Sequence, residues 1–261
     1  MTAAFAVTLA ALGVAGAFVS GLLGVGGAIV IIPLLLYVPP LVGVGTLDVK
    51  AVSAVTMVQV FVSAFAGMLA HRRHQAVNPE LAWVGGAAMG TASFVGAMAS
   101  KWMHDRWLLV VLALMATGAA LLMLAPVQAL EPVPDAAPRR FSRPRIVVVT
   151  VGVGLAAGLV GAGGAFLLVP LLLIVVGVPI RTTIGSSLAI TAIASTAGFA
   201  GKVLTGQLPF WATLAVLLGA VPGARLGAAV SRRLRPGQLK LVLFLVVLAT
   251  ALRVWWDVLT R

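Results

Sequence analysis

Uncharged polar side chains recur at helical spacing inside two strongly apolar runs of this sequence. In the first run, spacings of three and four place Ser53, Thr56 and Ser63 roughly on one helical face, with Gln59 close by. Hydroxyl and amide groups can donate hydrogen bonds to the oxygens of an anion without adding a fixed charge. The alternative is that these groups bond their own helix or a neighbouring one. The second run carries Ser186, Ser187 and Thr191.

A single arginine and the placement of the acids limit the chemistry further. Arg225 is the one arginine inside a predicted span that is not close to a loop of like charges. An intramembrane arginine is a functional hypothesis by default, and the alternative is that Arg225 snorkels toward Arg232. All six acids lie in loops or at span ends, so coupling by a cation, by a proton carried on the substrate, or simple uniport all stay open. The spans contain no paired carboxylates, Ser/His pair or metal motif, so neither an enzyme nor a bound cofactor is expected.

The composition is that of an integral membrane protein. Hydrophobic residues make up 61% of the 261-residue chain and charged residues 9%, whereas soluble domains carry about 25% charged residues. The net charge of +12 does not indicate nucleic-acid binding, because the basic residues cluster in short loops between apolar runs, as membrane topology requires. The expected partners are the lipid bilayer and a small anionic solute. A homodimer is an open alternative to a monomer.

Eight apolar runs predict an all-α, polytopic fold. Most are about 18–22 residues long, enough to cross ~30 Å of hydrocarbon as a helix, but two are too long for one span. A segment at 125–145 with five prolines and four arginines predicts a polar linker, placed at 126–144. The runs cover 2–38, 51–70, 80–100, 107–125, 146–179, 184–204, 209–230 and 239–256.

Each over-long run contains a copy of one glycine-rich block. "GLLGVGGAIVIIPLLL" begins at Gly21 and "GLVGAGGAFLLVPLLL" begins 137 positions later, at Gly158, and ten of their sixteen positions are identical. In both halves a Ser/Thr-rich run and then a glycine-rich run follow the block. The sequence therefore predicts two transmembrane repeats, 1–125 and 145–261, joined by the linker.

The glycines predict a break in the helix at membrane depth. Glycine permits a positive φ, and the proline six residues after the last glycine, Pro33 in the first copy, opposes a continuous helix. Such a break exposes the N–H groups that open the next half-helix, and these favour an anion. Helix packing through small residues is the alternative, but the long duplicated block favours a site. The predicted substrate-binding backbone is Gly24, Gly26, Gly27 and Ala28, with Gly161, Gly163, Gly164 and Ala165 in the second copy.

The distribution of basic residues favours glycine stretches that enter and leave the membrane on one face. With eight plain crossings the two sides receive nine and eight basic residues, which gives no orientation. With re-entrant stretches each half has three full crossings, the second half is inverted, and the two sides receive eleven and six. Because the richer side is cytoplasmic, the sequence predicts a cytoplasmic linker, external termini and two inverted-topology repeats.

The two glycine blocks, each followed by a Ser/Thr-rich run, resemble the signature blocks of the TauE/SafE sulfite exporter family. The resemblance covers essentially the whole chain, including the duplication and the linker. It implies a multi-pass carrier of the bacterial inner membrane for sulfite, sulfonates such as sulfoacetate, or related anions. In that membrane the external termini predicted from the basic residues are periplasmic. We therefore expect a secondary transporter that works by alternating access. An anion channel, or a carrier of other small organic anions, is the alternative.

Overall fold

Every regular element in the described part of the chain is helical. The computed structural model describes residues 2–23, 27–72, 77–124, 141–231 and 236–260. Besides the α-helices, these ranges hold a 3₁₀ turn at Ser100–Trp102 and a π-helical segment at Leu172–Val176. The all-α fold is therefore confirmed. The α-helices are α1 (Ala3–Leu23), α2 (Ala28–Leu41), α3 (Val49–Arg72), α4 (Pro79–Ala99), α5 (Asp105–Leu124), α6 (Arg143–Val160), α7 (Ala165–Leu171), α8 (Ile180–Leu204), α9 (Phe210–Ser231) and α10 (Pro236–Thr260).

Seven of the described helices are long and apolar enough to cross a membrane, namely α1, α4, α5, α6, α8, α9 and α10. Large apolar side chains on their surfaces, such as Trp83, Leu121 and Leu218, are exposed. Such a surface suits contact with lipid, while the backbone polar groups are satisfied within each helix. The chain is a multi-pass membrane protein, as its composition predicts.

The predicted interruption of the helix is present at both glycine blocks. The gap between α1 and α2 falls within the first block, and the gap between α6 and α7 falls within the second. In the first half, α2 packs back along α1. The contact that shows this is at Gly16, where an added β-carbon would lie 2.6 Å from Ile31 Cδ1. Beyond α2, Gly45 lies against the Phe5 ring near the start of α1. The chain thus returns toward the end of α1 at which it began, and the depth of this hairpin in a bilayer stays a prediction.

Prolines lie at matching positions inside the helices that follow the breaks. Pro33 lies inside α2 and Pro170 inside α7, and proline removes one backbone hydrogen bond from a helix interior. After α7 the backbone continues as the π-helical segment and ends at Gly177, which is left-handed. Each break is therefore followed by a short α-helix, of 14 residues in α2 and 7 in α7.

Two helix pairs join the halves of the chain with related registers. In each pair the contacting residues rise together in number, so the paired helices are parallel. If the residue number on α4 is raised by 137 and the residue number on α6 is lowered by 137, the resulting pair has the register of the α1–α9 contacts. The glycine blocks are offset by the same 137 positions. The contacts are Gly154 with Met89 and Gly158 with Ser93 for α4–α6, and Gly223 with Val14 and Gly227 with Phe18 for α1–α9.

Part of the expected topology lies outside the described residues. Gly24, Gly26 and residues 126–140 of the predicted linker are in this part, together with several arginines used in the charge count. α6 begins at Arg143, two residues before the predicted start of the second repeat. The repeat boundaries and the inverted orientation of the halves stay predictions.

Candidate functional site

The two glycine blocks form the same turn. Gly27 has φ 65° and ψ −3°, and Gly164, the matching residue of the second block, has φ 76° and ψ −4°. A β-carbon would be strained in this left-handed conformation. Each glycine precedes a helix, and its carbonyl oxygen accepts hydrogen bonds from the N–H groups three and four residues later, at 2.9–3.1 Å. Added β-carbons would meet Ser20 and Ala157, which are also a matching pair.

The second block lies directly against α3 and α8. A β-carbon added to Gly161 would lie 2.6 Å from Ser53 Oγ, and one added to Gly163 would overlap Val60. The same position at Gly163 is 3.4 Å from Thr191 Cγ2 on α8. The missing side chains therefore allow the backbone of the break to reach the faces of α3 and α8 that carry the predicted polar residues.

Four buried polar side chains near this break have atoms without a hydrogen-bond partner in the described part of the chain. They are Thr56 Oγ1, both amide atoms of Gln59, Ser93 Oγ and Thr191 Oγ1, and we call these residues the unpartnered cluster. Each residue is at most 1% exposed. A buried polar group left without a partner costs about 1–3 kcal/mol, so native structures seldom keep several together without a function or a bound molecule.

Contacts between helices place three members of the unpartnered cluster, Thr56, Ser93 and Thr191, near the second break. On α3, Thr56 lies one turn before Val60, the residue that meets Gly163. Thr191 approaches Gly163 from α8. Ser93 on α4 joins from the other side, because its Oγ would lie 2.6 Å from a β-carbon added to Gly198 of α8, and Met57 Cε would lie at the same distance. Polar groups from α3, α4 and α8 thus converge beside the break.

The remaining predicted hydroxyls have partners of their own. Ser53 Oγ donates to the Leu159 carbonyl oxygen at 3.4 Å. Ser186 Oγ accepts from the N–H of Asn78 at 3.0 Å, and Asn78 in turn caps α4 through Leu81. Ser187 Oγ donates to the carbonyl oxygen of Ile184 in its own helix at 3.0 Å. For Ser186 and Ser187 these bonds favour the structural alternative over a place in the site.

Arg225 does not join the other candidate residues. It is exposed on α9, and at 100° per residue it points away from Gly223 and Gly227, which contact α1. Within the described ranges it makes no ion pair. This position fits the snorkelling alternative, in which the guanidinium reaches toward one membrane face.

Lys202 is a buried cation that the sequence analysis did not select. Its side chain is 0% exposed, and Nζ donates to Ser100 Oγ at 2.7 Å, to Gln207 Oε1 at 3.2 Å and to the Leu159 carbonyl oxygen at 3.3 Å. All three acceptors are uncharged. No carboxylate of the described residues lies within salt-bridge distance of Lys202. The Leu159 carbonyl oxygen, two residues before Gly161, accepts from both Lys202 Nζ and Ser53 Oγ.

Sequence reasoning missed Ser93 and Lys202 for identifiable reasons. Ser93 lies in a glycine- and alanine-rich helix whose small residues indicate packing, and Lys202 lies in the last turn of α8, where lysine commonly marks a span end. One available signal was that Lys202 has no acidic residue near it in the sequence. Gln207 is five residues from Lys202 in the sequence, but Ser100 and Leu159 are brought to it only by the fold.

No group of three or more His, Cys, Asp or Glu that could hold a metal ion occurs among the residues that the structure describes. The site therefore offers hydroxyl, amide and ammonium groups. Such groups recognise an anion by donating hydrogen bonds to its oxygens.

Comparisons with known proteins identify the family to which the chain is similar. The family model described as "Sulfite exporter TauE/SafE" matches residues 9–254. The probable membrane transporter protein YunE of Bacillus subtilis (strain 168) is 25% identical over 266 residues, covering 93% of this chain and 94% of that protein. Probable membrane transporter proteins of two Xylella fastidiosa strains, Temecula1 and 9a5c, are 31% and 30% identical, each covering 96% of this chain and 94% of the relative. No solved structure gives a significant match.

Proposed function

Because the chain belongs to the TauE/SafE sulfite exporter family and is a membrane transporter, we propose that it moves small sulfur-containing anions across the bacterial inner membrane. The class comprises sulfite, sulfoacetate and related sulfonates, and the mechanism is alternating access. The observation that carries the proposal is the unpartnered cluster beside the second glycine break. Its groups are buried beside the break and have no hydrogen-bond partner among the described residues.

The chemistry of the cluster suits a sulfur oxyanion. Sulfite and sulfonate groups each present three oxygens that accept hydrogen bonds, and the hydroxyls of Thr56, Ser93 and Thr191 and the amide N–H₂ of Gln59 can donate. The N–H groups that open α7 have no partner within that helix and are predicted to contribute from Gly163, Gly164 and Ala165. Uncharged donors bind an anion without holding it permanently, which a carrier requires for release.

The packing of the halves supports alternating access. The α4–α6 and α1–α9 pairs each join one helix of the first half to one of the second, and the 137-residue offset relates them. Inverted repeats that exchange helices in this way can rock against each other around a fixed central site. In this proposal the first break, from Gly24 to Ala28, supplies the matching half of the site.

A ligand screen tests the substrate class. A ligand that binds the native state raises the melting temperature by mass action. The purified protein in detergent is heated with sulfite, sulfate, thiosulfate, taurine, sulfoacetate and simple carboxylates in turn. The proposal expects the largest shifts with sulfur oxyanions. Shifts confined to carboxylates would instead support the alternative of a carrier for other organic anions.

Counter-flow distinguishes a carrier from an anion channel. Proteoliposomes are loaded with the unlabelled anion that gave the largest shift, and entry of the labelled anion is followed. An alternating-access carrier takes up label faster when unlabelled anion is present inside, and its rate saturates. A channel, the second candidate, shows no such stimulation.

A further inference from the structure

We propose that Lys202, held by Ser100 and Gln207, forms a cationic anion-binding station beside the second glycine break and gives the transporter a preference for divalent over monovalent oxyanions. The proposal rests on the proposed function, because it assigns a charge preference to the same pathway. The observation behind the proposal is that Lys202 is a buried cation outside the unpartnered cluster, whose hydrogen-bond donors are all uncharged.

The charge of Lys202 is not balanced within the described chain. A buried cation normally has a carboxylate partner or coordinates an anion, but the three acceptors of Lys202 Nζ are a hydroxyl, an amide oxygen and a backbone carbonyl. These bonds fix the ammonium in one place without neutralising it. When Lys202 is protonated, an anion that approaches meets a positive charge held in one position.

A second lysine adds to the positive charge at this place. Lys50 Nζ donates to the carbonyl oxygen of Lys101 at 2.7 Å, and Lys101 follows Ser100 in the 3₁₀ turn after α4. Lys50 precedes the first hydroxyl of α3, Ser53, by one turn. Lys50 and Lys202 therefore donate to adjacent residues of one turn, Lys101 and Ser100.

The ammonium is connected to the candidate site through one backbone atom. The Leu159 carbonyl oxygen accepts from both Lys202 Nζ and Ser53 Oγ, and Ser53 lies against Gly161. A divalent anion near Ser53 would be attracted about twice as strongly as a monovalent one, because the Coulomb energy scales with the ligand charge. In a buried environment this attraction is screened only weakly by salt.

The experiment compares two tetrahedral oxyanions of different charge, sulfate and methanesulfonate. Binding of each is measured by thermal shift titration of the full-length protein. Lys202→Gln removes the charge, and Lys101→Gln removes an equal charge from an exposed side chain and is the matched control. We expect Lys202→Gln to lower the affinity for sulfate relative to methanesulfonate by about tenfold or more, while Lys101→Gln leaves the ratio unchanged.

A second variant keeps the proposal testable if Lys202→Gln does not fold. Gln207→Glu retains the lysine and places a carboxylate where Oε1 now accepts from Nζ at 3.2 Å. The negative charge of the carboxylate then neutralises the positive charge of Lys202. The same loss of preference for sulfate is expected. A folded variant of either kind with an unchanged ratio, or with equal loss for both anions, would show that Lys202 only joins α4, α6 and α8.

The wild-type measurement separates this inference from the proposed function. If wild-type protein binds neither these two anions nor the sulfur anions of the ligand screen, the proposed function fails and the station fails with it. If the wild-type protein binds these anions and the variants keep the wild-type ratio of affinities, only the proposal for Lys202 is wrong.

Discussion

Gly161 and Ser53, from opposite halves of the chain, are in direct contact, and a β-carbon at Gly161 would lie 2.6 Å from Ser53 Oγ. This contact places the backbone of the second break against the helix that carries Thr56 and Gln59. It explains why glycines recur in an apolar run where a continuous helix is expected. They let the break approach the polar faces of α3 and α8 closely.

Gly163→Ala is expected to abolish transport. Gly163 has φ 62°, and the added methyl group would overlap Val60, so the break must move away from α3. Initial uptake rates in proteoliposomes measure the effect. The matched control is Gly177→Ala, because Gly177 has φ 76° with no atom within 4 Å of the added carbon. Both variants carry similar backbone strain of about 1–2 kcal/mol, and equal activity in the two would show that the contact with α3 is irrelevant.

Thr56→Val is expected to weaken transport without weakening the fold. The substitution removes a buried hydroxyl that has no partner among the described residues, so the free energy of unfolding should stay the same or rise by about 1 kcal/mol. Loss of a hydrogen bond to a charged ligand should raise KM about tenfold. Flux kinetics and thermal unfolding measure the two effects.

The control for this substitution is Thr150→Val on α6. Thr150 is equally buried, but its Oγ1 donates to the Ile146 carbonyl oxygen of its own helix at 2.7 Å. Its KM should match that of the wild type. If Thr56→Val also keeps the wild-type KM, Thr56 does not contact the solute.

Ser186→Ala is expected to lower stability and leave KM unchanged. The Ser186 hydroxyl accepts the N–H of Asn78, so its loss should cost about 1 kcal/mol in the free energy of unfolding. Ser187→Ala serves for comparison, since Ser187 bonds only within α8. A rise in KM with unchanged stability would show that Ser186 contacts the solute.

The fold and site were predictable from the sequence to different degrees. Composition and run length predict the membrane-spanning helices, and the duplicated block predicts both breaks, because these signals are local. Helical spacing also selects Thr56, Gln59 and Thr191. The roles of Ser93, Ser186 and Lys202 depend on residues about 100 positions away, such as Ser100 for Lys202. Local patterns in a single sequence do not show which residues so far apart will be in contact.

The orientation in the membrane has its own test. The chain contains no cysteine, so Arg140→Cys and Thr2→Cys each introduce a single reactive thiol. With a cytoplasmic linker and periplasmic termini, an impermeant thiol reagent applied to intact cells labels the cysteine at position 2 but not the one at position 140. Labelling at position 140 before permeabilisation would overturn the topology derived from the basic residues.

A sulfur oxyanion is proposed to bind among Thr56, Gln59 and Thr191 beside the second glycine break. Selenite is an analogue of sulfite, and selenium scatters X-rays anomalously near its absorption edge. The decisive measurement is the anomalous difference map of crystals of the full-length protein soaked in selenite. We expect a selenium peak in the cluster, with the selenite oxygens in the electron density within hydrogen-bond distance, about 2.7–3.2 Å, of these three side chains. Selenium peaks only at the protein surface, with none in the cluster, would contradict it.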